Sequence, residues 1–173
     1  MTGVGAARPH DVEVRAATDE DWNAIFEIFS AVVEDGRTYA YPEGLASGEA
    51  RRLWVEPSPA RSTVATLGGS VVGCAKMGPN RPGRGSHVAT ASVMVAPGHR
   101  DVGVGRALGA DVVAWARDAG YRGIQFNAVV ATNSAAVHLW ETLGFDVVGR
   151  VPGAFEHPVD GYVDLLVMFR SIV

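Results

Sequence analysis

One cysteine among 173 residues leaves no partner for an intrachain disulfide. A reducing cytoplasm is the compartment this usage leads one to expect. Cys74 lies in the apolar run Val71-Val72-Gly73-Cys74-Ala75, which predicts buried packing and no catalytic role. No apolar stretch approaches the ~18 residues of a membrane span. The N-terminus has neither a basic region nor an apolar segment behind it, so no secretory signal is expected. Basic residues are few and scattered. Lys and Arg number 15 against 19 Asp and Glu, for a net charge of −4, and Arg51-Arg52 is the only adjacent pair. That balance argues against a nucleic-acid partner. No Ser/His/Asp or Cys/His arrangement stands out, so no covalent intermediate is expected, and no metal.

The chain does have a normal apolar content, 47%, at a length that fits one domain. Residues 1–11 are small and polar and read as a loose tail; residues 12–173 read as a single domain. Val12-Glu13-Val14-Arg15 alternates like a strand. Thr18-Asp19-Glu20-Asp21 is a helix start, and a stripe of Trp22, Ile25, Phe29 and Val32 carries that helix to residue 33. Residues 34–46 are irregular and a second helix is expected over 47–55. Strands over 62–67 and 71–77 flank Gly68-Gly69, a hairpin signal. A Pro/Gly-rich loop follows, then a strand over 87–95, a glycine loop and a third helix with Leu108, Val112, Trp115 and Ala119 on one face. Gly120 suits its C-terminal cap. A fifth strand covers 123–129 and a fourth helix runs from Asn133 to about residue 143. Strands over 145–151 and 162–169 close the chain around a loop with Pro152 and Pro158. The expected class is α/β: a mixed sheet of about seven strands with four helices on its two faces.

The glycine loop is the richest signal. Pro97-Gly98-His99-Arg100-Asp101-Val102-Gly103-Val104-Gly105-Arg106 joins a strand to a helix start. Such a turn offers several backbone N–H groups to one anion, and the helix dipole adds positive potential there. Gly103 and Gly105 remove side chains where a diphosphate would approach. Amides from Val102 to Arg106 can point into one pocket, and Arg100 or Arg106 can add a charge-assisted contact. The alternative is an ordinary helix start whose glycines only turn the chain.

A second motif separates these readings. Arg100-x-x-Gly103-x-Gly105 followed by Asn133-x-x-Ala136-x-x-Leu139-Trp140-x-x-Leu143-Gly144-Phe145 resembles the GNAT superfamily of acetyl-CoA-dependent N-acetyltransferases. The element order matches across nearly the whole chain. The resemblance implies that acetyl-CoA is the co-substrate. The loop, with Asp101 and Val104 in it, would hold the pyrophosphate. The fourth and fifth strands would splay, and main-chain groups of Met94 and Val95 would pair with the pantetheine arm as an added strand does. Asn133 would cap its helix and also bond the arm, with Ala136 and Trp140 along the same helix. Core packing is the competing role for Met94, Val95 and Trp140.

Many relatives carry tyrosine where this chain has Trp140, assigned as the acid that protonates the departing thiolate. An indole N–H cannot transfer a proton in this way. A thiol pKa near ~8.5 lets the thiolate leave at neutral pH with little help. Tyr39, Tyr41 or Tyr162 could serve instead, and the sequence does not choose. The amine acceptor should meet residues at the mouth of the splay. Asn127, His87 and Tyr39 are the catalytic candidates, and Glu34, Tyr39, Tyr41 and Asn127 the substrate-binding ones. Asp35-Gly36-x-Thr38-Tyr39 with Phe126-Asn127 and Trp140 is similar to enzymes that acetylate proline-analogue imino acids such as azetidine-2-carboxylate. The broader expectation is a small amino acid, imino acid or related amine.

Two rival readings compete with this one. A dinucleotide fingerprint, Gly103-x-Gly105-x-x-x-Gly109, needs an acid ~20 residues later, and Phe126-Asn127-Ala128-Val129 supplies none. A non-catalytic acyl-CoA sensor draws its support from Trp140. The apolar run Leu165-Leu166-Val167-Met168-Phe169 is either shared in a homodimer or interior to the sheet.

Overall fold

The computed structural model describes residues 12–173. The expected tail over 1–11 lies outside the described residues. Among the described residues, seven strands form one sheet and four α-helices cover it. The strands are β1 (Val12–Ala16), β2 (Arg61–Leu67), β3 (Ser70–Pro79), β4 (Val88–Val95), β5 (Gly123–Val130), β6 (Asp146–His157) and β7 (Gly161–Ser171). The helices are α1 (Trp22–Glu34), α2 (Ser47–Trp54), α3 (Val104–Asp118) and α4 (Ser134–Thr142). No described helix is long and apolar enough to cross a membrane.

The sheet order is β1-β2-β3-β4-β5-β7-β6. Only β4 and β5 are parallel, and they pair at two positions alone, Val88 with Gly123 and Ala89 with Ile124. Beyond that point the strands part. α1 and α2 pack on one face, where Trp22, Ile25, Phe29, Val32 and Trp54 bury against Val64, Cys74 and Met94. α3 and α4 pack on the other, where Val104, Leu108 and Val112 meet Ala75, Ala89 and Ile124. Burial pushes the Cys74 thiol up, so it stays an unreactive thiol.

Several expectations shift. The buried face of α3 runs Val104, Leu108, Val112 and Ala116. Trp115 is half-buried against Tyr121, ring centroids 5.0 Å apart, and Ala119 is the exposed C-cap. The predicted break at Pro152 does not occur. β6 runs through it, because β6 is the sheet edge and its register with β7 shifts between Val151 and Phe155. An edge strand tolerates a proline that has no N–H to pair. The apolar run from Leu165 to Phe169 is interior, flanked by β5 and β6. The edge carries exposed Val147, Val148 and Val151.

Candidate active site

The loop between β4 and α3 takes three left-handed residues, Gly98 (φ 84°), Asp101 (φ 64°) and Gly103 (φ 92°). Only glycine adopts these values without strain. The first main-chain bond into α3 is Ala107 N–H to the Gly103 carbonyl, at 3.0 Å. The N–H groups of Val104, Gly105 and Arg106 therefore precede any helical acceptor, as at every helix start. Left-handed turns ahead of free N–H groups form an anion-holding concavity, so the residues present fit a diphosphate. Gly105 does a different job from the one expected. A Cβ there would lie 3.2 Å from Leu139 Cδ2 of α4, so its bareness serves helix packing. The arginines lean elsewhere. Arg106 donates to Thr142 Oγ1 at 3.1 Å, and Arg100 lies 3.9 Å from Asp35.

The gap beside β4 is set by strand parity. Ala96 N–H donates to Val72 O, and Asn80 N–H to Val88 O. With Cys74 opposite Met94, these bonds commit the main chain of even-numbered β4 residues to β3. Met94 thus has no free main-chain groups for an added strand, and its side chain is buried. The groups facing the gap belong to Ala91, Val93 and Val95. Val93 was missed from sequence because parity needs the β3 register. Its N–H donates to the Tyr39 hydroxyl at 3.0 Å, and that hydroxyl donates to the Val93 carbonyl at 2.8 Å. Tyr39 stacks on Tyr41 at 5.8 Å. Burial raises the Tyr39 pKa, so the phenol is a donor and not a base at neutral pH.

A cavity of about 180 Å³ opens on the α1/α2 face at the same level, lined by Tyr41, Trp54, Lys76, Thr90, Ser92 and Asn127 among others. Asn127 sits where the β5–β7 register shifts, between Phe126 and Val129. Its Nδ2 donates to Asn80 Oδ1 at 2.7 Å, and Gln125 Nε2 donates to its Oδ1 at 2.8 Å. Three expected residues are not brought here. The His87 side chain is exposed and does not line the cavity. Glu34 borders a separate, more apolar cavity against Phe26, Phe29 and Leu45. Tyr162 is 75% exposed in the β6–β7 hairpin, which removes it as a proton donor at this site.

Asn133 caps α4, its Oδ1 accepting from Ala136 N–H at 3.2 Å. Its Nδ2 is left to donate elsewhere. Ala136 is half-buried against the core. Trp140 is core as well. It is 8% exposed and packs on Phe126 and Phe145 at centroid distances of 4.5 and 5.9 Å.

The acetyltransferase (GNAT) family profile matches residues 22–145, from the start of α1 to the start of β6. The chain belongs to the GNAT acetyltransferase family. A GCN5-related N-acetyltransferase structure from Kribbella flavida is 54% identical, with TM-score 0.91 over 94% of this chain and 99% of that one. A Salmonella typhimurium structure, yncA with acetyl-CoA, is 25% identical, with TM-score 0.80 and 94% of each chain covered. The L-amino acid N-acyltransferase MnaT of Escherichia coli is 31% identical over 82% of this chain and 83% of its own length. The N-acetyltransferase aca1 of Schizosaccharomyces pombe is 38% identical over 55% of this chain, which spans only 46% of that protein. This chain is thus a GNAT N-acetyltransferase with acetyl-CoA as its co-substrate. The glycine loop and the capped α4 both lie within the matched residues.

Proposed function

We propose that this GNAT enzyme transfers the acetyl group of acetyl-CoA to the amine of a small molecule, an amino acid, imino acid or related amine, by direct attack. One observation carries the reading. The β4–β5 gap, bordered by the main chain of Val93 and Val95, lies between the anion-holding loop and the Asn127 cavity. Loop N–H groups from Val102 to Arg106 hold the diphosphate. Val93, Val95 and Asn133 Nδ2 hold the pantetheine arm. A main-chain N–H on β4 polarises the thioester carbonyl as charge grows on its oxygen. The amine nitrogen bonds to the carbonyl carbon, the C–S bond breaks, and the proton that the amine gives up is matched by the one that turns the departing thiolate into CoA thiol. A phenol at Tyr39, unlike the indole of Trp140, is a proton donor within the gap. The resemblance to MnaT, named an L-amino acid N-acyltransferase, supports the acceptor class.

The Tyr39 hydroxyl occupies the two Val93 groups that the arm would use. Tyr39→Phe should therefore tighten acetyl-CoA binding by about two- to tenfold, the worth of one ordinary hydrogen bond. Calorimetric titration reads this directly. Weaker binding would mean the hydroxyl stays in place and touches the ligand.

The reading extends to a cytoplasmic protein, from the lone buried cysteine, and to a homodimer. The long β6 edge with its exposed valines supports the second. The test of function pairs thiol release across an amine and amino-acid panel with an acetyl-CoA titration. Amine-dependent CoA release is expected. Tight acetyl-CoA binding with no release on any amine would replace the enzyme by a sensor, the reading that Trp140 favours.

A further inference from the structure

The cavity beside the gap carries an ammonium donor, and that donor selects among acceptors. Lys76, on β3, sends its ammonium to the carbonyl of Leu53 at 2.7 Å and to Glu56 Oε1 at 2.8 Å. An ammonium has three N–H donors, so one remains. Glu56 is half-exposed while the Lys76 side chain is only 19% exposed. Arg61 also borders the cavity, drawn toward Asp111 at 3.5 Å. Glu56 and Asp111 balance Lys76 and Arg61, so what the lining offers a ligand anion is the one N–H that Lys76 has left. An acceptor that carries a carboxylate can use that donor, and a simple amine cannot.

A second donor points the same way. Trp54 lines this cavity and is fully buried, and its indole N–H has no acceptor among the described residues. A buried donor without a partner costs free energy that a ligand acceptor would recover. The hydroxyl-bearing Thr90 and Ser92 line the cavity on either side of Ala91, whose main chain faces the gap. Donors to a carboxylate thus lie on the α2 side, and the gap lies at the β4 side.

We propose that Lys76 is the carboxylate anchor of the acceptor site, so that the acceptor is an α-amino or imino acid. Its carboxylate lies on the free N–H of Lys76, with the Trp54 indole N–H as second donor, and its amine turns to the β4–β5 gap. The proposal rests on reading this cavity as the acceptor site. It makes Lys76 a specificity residue: it touches the acceptor and takes no part in breaking the C–S bond.

Matched acceptors test it. The enzyme is assayed with a series of amino acids, the corresponding amino acid amides and the corresponding decarboxylated amines. The wild type should favour the acids. Lys76→Met keeps the stem and removes the charge. It should raise the acceptor KM for the acids roughly tenfold to hundredfold, the range expected for a charge-assisted hydrogen bond. It should change kcat/KM for the amines less than about threefold and leave the KM for acetyl-CoA alone; Lys76→Arg should restore part of the loss. The amine arm controls for folding, since a damaged protein loses both. Equal losses on acids and amines, or no loss on acids, would overturn the anchor while leaving the acetyltransferase reading intact. Absence of CoA release with every acceptor would overturn both.

Discussion

Replacing Gly103 by valine should weaken acetyl-CoA binding at least about a hundredfold. Gly103 is the residue just before α3, at φ 92° and ψ −2°. An L-residue in left-handed conformation costs roughly 1–2 kcal/mol, and a β-branched one more. Valine escapes that cost by rotating to an extended conformation. The rotation turns the peptide planes that aim the N–H groups of Val104, Gly105 and Arg106. Hydrogen bonds to a charged group are worth about 1.5–3 kcal/mol each, so losing two of them reaches the stated factor. Titration calorimetry beside a thermal melt separates lost binding from lost fold. A variant that melts normally and binds as before would remove the loop from the site.

Gly73→Val should have the largest effect on stability. Gly73 lies on β3 beneath the first turns of α3. A Cβ there would sit 2.7 Å from Val104 Cγ1, 3.0 Å from Leu108 Cδ1 and 3.1 Å from the Met94 carbonyl oxygen. Val104 and Leu108 are buried to 1% and 0% exposure, so neither can swing out to solvent. Overpacking of this kind costs about 1–3 kcal/mol, occasionally more. At this chain length each kcal/mol moves the melting temperature by about 2–4 °C. The only relief is to lift α3 from the sheet, which carries the phosphate-holding N–H groups with it. The melting point should fall and acetyl-CoA binding should weaken together. An unchanged melting point would mean that α3 does not press on the sheet here.

These two glycines differ in how far the sequence exposes them. Gly103 stands out because a strand, a glycine-rich turn and an amphipathic helix follow in order, and each of those signals is local. Gly73 is one residue of an apolar strand, and Gly105 has the sequence context of a ligand-facing glycine but lies against α4. Both depend on which helix lies over which strand, and no window of sequence holds that. The same limit explains the acceptor site. Asn127 was legible as a polar residue in an apolar strand. Lys76, Trp54 and Val93 were not, because a lysine in a hairpin, a tryptophan at a helix end and a valine in a strand are ordinary until they converge. His87 and Glu34 show the converse: they lie near the right elements, but His87 is exposed and outside the cavity lining and Glu34 borders another cavity.

With acetyl-CoA implied by the resemblance of two motifs to the GNAT superfamily, local periodicity and turn chemistry determined the strands, the helices and the anion-holding turn. Every one of these follows from bonds and φ preferences within a few residues of chain. The tertiary structure alone decided that β4 and β5 part after two pairs, that odd-numbered β4 residues face the opening, and that a cavity bordered by Lys76 lies beside it. Strand register and helix placement are set by packing between distant segments, so their chemistry becomes visible only after the sheet has formed.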